Sequence, residues 1–265
     1  MSGATVQVER RGALARIALC RPERHNAQNL EMWRELRTAG LRLGEDPEVR
    51  AAVLVGEGQS FSSGLDLAEM RPGGFLHAVA ESSDADALTL IEEAQAAFGW
   101  IGAAPFPVVA AVRGVAVGAG IQLALACDVR IVAEDTTLAV AELGLGAVPD
   151  LGATVDLPRV VGLERALDLI LSARRFDGNE AVALGLALRA VPSAEVESEA
   201  LAYAERLAAA PRAALAWAKA ATREKDSARS LHLAALGQVE CVRAMLTAGI
   251  SPRATSRSAA TTPRG

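Results

Sequence analysis

Two glycine turns and one carboxylate carry most of the chemistry this sequence can offer. Phe61, Ser62, Ser63, Gly64, Leu65, Asp66 and Leu67 follow the apolar run Ala51 to Val55, and the segment Gly114 to Gln122, with Gly118 and Gly120 inside it, follows Pro107 to Val112. Each turn is expected at the end of a buried strand, opening into a helix. Backbone N–H groups left unpaired in such turns can converge on one oxygen. An oxyanion hole of that kind stabilises charge that exists only in the transition state, by about 3 kcal/mol per donor. Turns of this composition also serve only to bend the chain or hold an anion, so the pair is more informative than either alone.

The carboxylate is Glu142, in the mostly apolar stretch Leu138 to Leu145. Desolvation there raises a carboxyl pKa, which suits a group that takes up and releases a proton near neutral pH. The residue types equally permit a Glu142 that caps a turn or pairs with an arginine.

The elements that must position these groups are legible as patterns. Val6 to Glu9, the turn Arg10, Arg11, Gly12, and Ala13 to Leu19 read as an opening hairpin. Leu30, Trp33, Leu36, Gly40 and Leu43 recur at helical spacing behind Asn29, a plausible N-cap. Strand-like runs at Val53 to Val55, Val108 to Val112 and Val129 to Val132 alternate with helical stretches, which predicts an α/β fold. From Arg71 to Asp86 the periodicity breaks, predicting a mobile loop beside the cleft that enters a helix near Ala87 to Trp100. One helix is expected to include Pro158 to Leu171. Past Glu195 the chain is Ala-rich and reads as helices at Ala200 to Ala210, Ala213 to Thr222 and Leu231 to Leu246, with Pro211 between the first two. The organisation expected is a core over 1–195, a helical region over 196–250 and a polar, disordered tail over 251–265.

Composition narrows the function classes. A chain of 265 residues that is 51% apolar can bury a large core, and a net charge of −5 gives no basic footprint for nucleic acid or anionic membrane. No apolar run approaches ~18 residues and no positively charged segment leads into one, so a cytoplasmic protein without a membrane span is expected. Cys20, Cys127 and Cys241 form no C-x-x-C, and His25, His77 and His232 no paired motif, which argues against a disulfide framework and a metal site. The segment from Gly118 has Leu123 where a dinucleotide fingerprint needs its third glycine. The segment Gly58 to Ser62 ends in serine where a nucleophile elbow needs glycine.

At these turns the chain resembles the enoyl-CoA hydratase/isomerase (crotonase) superfamily. Ser62 to Leu67 is similar to its first oxyanion turn, and Gly118, Ala119 and Gly120 followed by Leu123 to Asp128 to its second. Arg21, Pro22, Asn26 and Ala27, the stretch Ala141 to Leu145, Leu157 to Gly162 and Ala181 to Leu186 extend the resemblance over roughly residues 5 to 200. It implies a spiral of ββα units with a C-terminal helical trimerisation region, and assembly as a homotrimer or homohexamer. It makes the N–H groups of Leu65 and Ala119 the oxyanion donors, set by Gly64 and Gly118, and Glu142 the proton carrier. Arg24, Ser63, Asp66 and Leu67 would line the path of coenzyme A, which enters as part of the substrate thioester and not as a separate cofactor.

The chain departs from its relatives at Gln122 and in its terminal segment. Gln122 stands where hydratases of the family commonly carry a second glutamate, and an amide cannot serve as a general base. Asp150 falls where the dienoyl-CoA isomerase branch has an aspartate working opposite the glutamate; as residue types alone, Pro149 and Asp150 also suit a turn leading into a helix. The resemblance therefore implies double-bond isomerisation ahead of hydration. Hydration of a 2-enoyl-CoA is the nearest rival, and an acyl-CoA-binding protein without turnover is an alternative of another class. The polar tail also lacks the basic-aromatic finish with which relatives touch coenzyme A.

Overall fold

The computed structural model describes residues 4–247. The hairpin forms as expected: β1 (Val6–Arg11) and β2 (Leu14–Leu19) pair antiparallel around Gly12, whose φ of +62° suits the turn. The next strands, β3 (Ala51–Gly56) and β4 (Val108–Val112), join the sheet in parallel. A short parallel pair, β5 (Val115–Val117) and β7 (Thr137–Ala139), forms a second sheet, while β6 (Val129–Ala133) and β8 (Arg189–Val191) complete the main sheet in the order β1-β2-β3-β4-β6-β8.

Both faces of the sheet are covered, which is why β3 is apolar and buried at every position. On one face Ala52 and Leu54 pack with α1 (Leu30–Glu45) and with the helices that follow it. Asn29 caps α1, its Oδ1 accepting from the Met32 amide at 3.0 Å. On the other face Ala51, Val53 and Val55 meet a single helix, α8, described below.

The segment expected as a mobile loop is largely helical. It contains α2 (Phe75–Glu81), and α3 (Asp84–Ala103) starts earlier than expected because Ser83 caps it. The cause is tertiary: Phe75 is buried edge-on against Trp33, ring centroids 5.1 Å apart, and this contact organises a stretch with no periodicity of its own. Past α4 (Ala119–Ala126), the single helix expected around Pro158 is two, α5 (Ala153–Val161) and α6 (Leu163–Ser172), broken at Gly162 with φ +83°.

After α7 (Gly178–Ala183), α8 (Val196–Ala208) presents Val196, Ala200, Ala204 and Ala208 every four residues to the sheet; the small side chains let it lie close. Helices α9 (Arg212–Arg223) and α10 (Ser227–Thr247) pack on one another. The anchor of α9 is Asp128, whose carboxylate receives Lys219 Nζ at 2.7 Å, Arg223 Nη1 at 2.8 Å and the Val108 amide at 2.8 Å. Burial pulls the Lys219 pKa down, opposed by the facing Asp128 carboxylate. The tail expected to be disordered, 251–265, lies outside the described residues. Among the described residues no helix is long and apolar enough to cross a membrane.

Candidate active site

The two glycine turns are stitched together. The Ser62 amide donates to the Val115 carbonyl at 2.9 Å, and the Val117 amide to the Ser62 carbonyl at 3.1 Å. Gly64 (φ +90°) is packed so tightly on the second turn that a Cβ would stand 2.5 Å from the Val117 oxygen and 3.4 Å from the Ala119 nitrogen. The Leu65 and Ala119 amides therefore flank one small region. Neither amide has an acceptor among the described residues.

Their directions follow from the planar trans peptide, in which N–H and C=O point opposite ways. The Gly64 carbonyl accepts from the Gln28 amide at 2.7 Å, so the Leu65 N–H faces away from Gln28. The Gly118 carbonyl accepts from the Gln122 amide at 3.1 Å along α4, so the Ala119 N–H emerges from the N-terminal end of that helix. Both free donors carry the partial positive charge an oxyanion requires.

Glu142 begins a short 3-10 turn after β7, and its carboxylate lies beside the second glycine turn, Oε1 being 3.3 Å from where a Gly118 Cβ would be. Oε1 accepts from Gln122 Nε2 at 2.7 Å, whereas Oε2 is buried with no partner. Burial pushes the Glu142 pKa up; its hydrogen bonds oppose this, and the nearby charge of Asp150 adds to the rise. Burial raises Asp150 as well. Asp150 stands in the turn that leads into α5, as its residue type also allows. Among the described residues Glu142 pairs with no arginine, and the N-cap of α5 is Gly152, with no side chain capping it.

Gln122 is buried and bridges two segments. Its Oε1 accepts from the Ala153 amide at 3.1 Å, which can only donate, and this fixes the side chain with its NH2 toward Glu142. Gln95 Nε2 donates to the Asp150 carbonyl at 2.9 Å, holding the neighbouring turn from α3.

The residues read as lining the coenzyme A path lie around the first turn. Arg24 is 55% exposed at its side chain and sits 3.3 Å from Asp66 Oδ2. Ser63 is exposed, its hydroxyl donating to the Arg24 carbonyl at 3.3 Å, and Leu67 is 71% exposed. Asp66 is different. It is buried, pairs with Arg21 at 2.7 Å and accepts from the Ala68 amide at 3.0 Å, so its carboxylate is engaged in holding the turn. Burial alone would raise its pKa, but the Ala68 amide and the Arg21 guanidinium hold it below the ordinary carboxylate value. Sequence reasoning did not find Gln28, Gln95 or this role of Arg21, because each acts across a long stretch of chain with no local pattern to mark it.

Comparison with known proteins identifies the family. The family model described as enoyl-CoA hydratase/isomerase matches residues 9–244. A probable enoyl-CoA hydratase of Rhodobacter capsulatus is 41% identical over 221 residues, 83% of this chain and 82% of that protein. A probable enoyl-CoA hydratase of Mycobacterium tuberculosis is 35% identical over the same shares. Among solved structures, a Thermobifida fusca protein in complex with CoA superposes with TM-score 0.82 at 36% identity, covering 92% of this chain and 95% of that one. The enoyl-CoA hydratase of Bacillus anthracis gives TM-score 0.81 at 29% identity, covering 90% and 91%. Matched by that family model over most of its length and by relatives above 30% identity, the chain belongs to the enoyl-CoA hydratase/isomerase family of the crotonase superfamily.

Proposed function

We propose that the protein migrates a carbon–carbon double bond in an enoyl- or dienoyl-CoA thioester. The thioester oxygen accepts from the Leu65 and Ala119 amides, whose dipoles favour the enolate over the neutral thioester. Glu142 Oε2 removes a proton from a carbon activated by that carbonyl, electron density moves onto the oxygen, and the double bond shifts. Asp150 returns a proton at the far end of the shifted system, or the two carboxyls act in the reverse order. No water enters and the substrate keeps its proton count; the carboxyl pair ends with its proton on the other partner, and exchange with solvent resets it.

The observation that carries this reading is the division of the Glu142 carboxylate. One oxygen is held by an amide that cannot take a proton, and the other is bare and buried. Addition of water needs a group that orients and deprotonates it, and at position 122 the chain offers an amide tied to Glu142 and Ala153. Arg24, Ser63 and Leu67, with Asp66 orienting Arg24, are placed along the coenzyme A portion. The CoA complexes of Thermobifida fusca proteins similar in fold support a CoA thioester as substrate. The exposed apolar residues Leu231, Leu236, Val239 and Leu246 of α10 support association with other copies, testable by light scattering.

Hydration is the second reading, favoured by the names of the relatives. Purified protein is offered 3-enoyl-, 3,5-dienoyl- and 2-enoyl-CoA. Double-bond migration that exceeds water addition, and falls about a thousandfold in Glu142→Gln, is expected. Hydration that outpaces migration and survives Glu142→Gln overturns the assignment, and tight thioester binding with no turnover of any of the three identifies a binding protein.

A further inference from the structure

Behind the first glycine turn runs a polar chain that the reaction above does not use. Trp33 Nε1 donates to Gln28 Oε1 at 2.8 Å, and Gln28 Nε2 donates to Ser62 Oγ at 3.0 Å. Ser62 Oγ accepts from the Gly64 amide at 3.2 Å and donates to the Asn26 carbonyl at 2.8 Å. Ser62 and Gln28 are completely buried and Trp33 nearly so. Every orientation is forced by residue type. The indole can only donate, so the Gln28 oxygen faces it and its NH2 faces Ser62; the one Ser62 hydrogen goes to a carbonyl that can only accept. The hydroxyl has used its donor and both acceptor positions, so Ser62 Oγ is fully satisfied and held stiffly.

Its output is Gly64, the joint about which the turn could swing. The Gly64 N–H is pinned by Ser62 Oγ and its C=O by the Gln28 amide. Released from those pins, a glycine at φ +90° can rotate the following peptide. Such a rotation carries the Leu65 N–H away from the thioester oxygen and brings a carbonyl oxygen toward it, turning an attraction into a repulsion. We propose that Ser62 and Gln28 are positioning residues, braced by Trp33, that aim the Leu65 amide at the developing oxyanion. This rests on the reading of Leu65 as an oxyanion donor.

The test uses the intact protein and an α,β-unsaturated aromatic acyl-CoA, whose absorbance moves to longer wavelength when its carbonyl is polarised. Ser62→Ala is expected to lower kcat for double-bond migration about 10- to 100-fold, below the loss for deleting a donor outright, with KM changed little. It is also expected to shrink the wavelength shift of the bound chromophore. Gln28→Leu is expected to follow in the same direction and Trp33→Phe more weakly, and these two keep the proposal testable if Ser62→Ala does not fold. Leu169→Ala, a buried change in α6, serves as the stability control and is expected to keep the full shift. A full shift and wild-type kcat in Ser62→Ala and Gln28→Leu overturn the positioning role alone. Absence of any shift in the wild-type protein overturns the oxyanion reading beneath it, and the positioning role with it.

Discussion

The two turns proposed to offer amides to one oxygen differ in what holds them. The first is pinned by polar groups: Ser62 and Gln28 from within, and the Asp66 carboxylate with Arg21 at its exit. The second adds close approach at two glycines to the one the first makes through Gly64. A Cβ on Gly114 would stand 2.0 Å from the Gln59 oxygen and one on Gly120 2.3 Å from the Ser62 oxygen, while α4 fixes the direction of the Ala119 amide. Hydrogen-bonded pins weaken one at a time, whereas backbone packed on backbone yields less readily. On the proposed reading the first turn, with more side-chain pins, is the more tunable donor and the second the more fixed one.

The strongest test of that contrast is Gly120→Ala. One methyl group would collide with the first turn's backbone, so a loss of about 3 kcal/mol in unfolding free energy and of nearly all turnover is expected, read by denaturant titration and assay. A variant with normal stability and turnover would show that the second turn yields as readily as the first.

Glu142, seated beside the second turn, separates catalysis from stability. Besides its effect on turnover, Glu142→Gln is expected to raise stability by about 1 kcal/mol near neutral pH, since it removes a buried carboxylate with a bare oxygen. The sign with pH follows from the raised folded-state pKa. The wild-type native state holds the proton through a window above the ordinary carboxylate pKa in which the unfolded chain has lost it. Wild-type stability thus falls as pH rises through the window, and the advantage of the variant grows from acid toward neutral. In a pH profile of migration, activity is expected to fall on the acid side at a pH above the ordinary carboxylate value.

At the first turn the effect is graded. Asp66→Asn is expected to cost about 1 kcal/mol at pH 7, since the Arg21 pair is lost while the amide still accepts from Ala68 and the Arg24 contact is screened by solvent. Asp66 has a lowered folded-state pKa, so its contribution is present above the ordinary carboxylate pKa. It disappears as pH falls through the folded value, and thermal melts of the two proteins should converge in acid. Arg24→Ala is expected to do least: about threefold weaker binding of a CoA thioester by calorimetry, with a smaller gap at high salt and kcat unchanged.

What could be read from the sequence is what short-range physics determines. The opening hairpin, the buried runs of β3, β4 and β6, and the Asn29 cap on α1 depend on neighbours within a few residues, and their patterns are visible. Glu142 was legible as a carboxylate among apolar neighbours because burial is a local expectation. The helix α2 was not, since its stability comes from Phe75 against Trp33, and nothing between residues 71 and 86 announces that partner. The break at Gly162 was lost in an otherwise continuous apolar pattern. Gln28 and Ser62 meet across 34 residues, and a lone glutamine and a lone serine look like surface residues until the fold encloses them.

Asp128 has a consequence for how the chain is made. Its carboxylate sits at the start of β6, yet the two cations that neutralise it, Lys219 and Arg223, arrive up to 95 residues later. A nascent chain on the ribosome can lay down the central strands long before it can balance that charge. Any product ending ahead of α9 leaves Asp128 without both cations, its carboxylate open to water. Docking of α9 thus ties the last third of the chain back to the edge of β6 through charge, and a chain that ends before Lys219 has no cation for Asp128 to hold there.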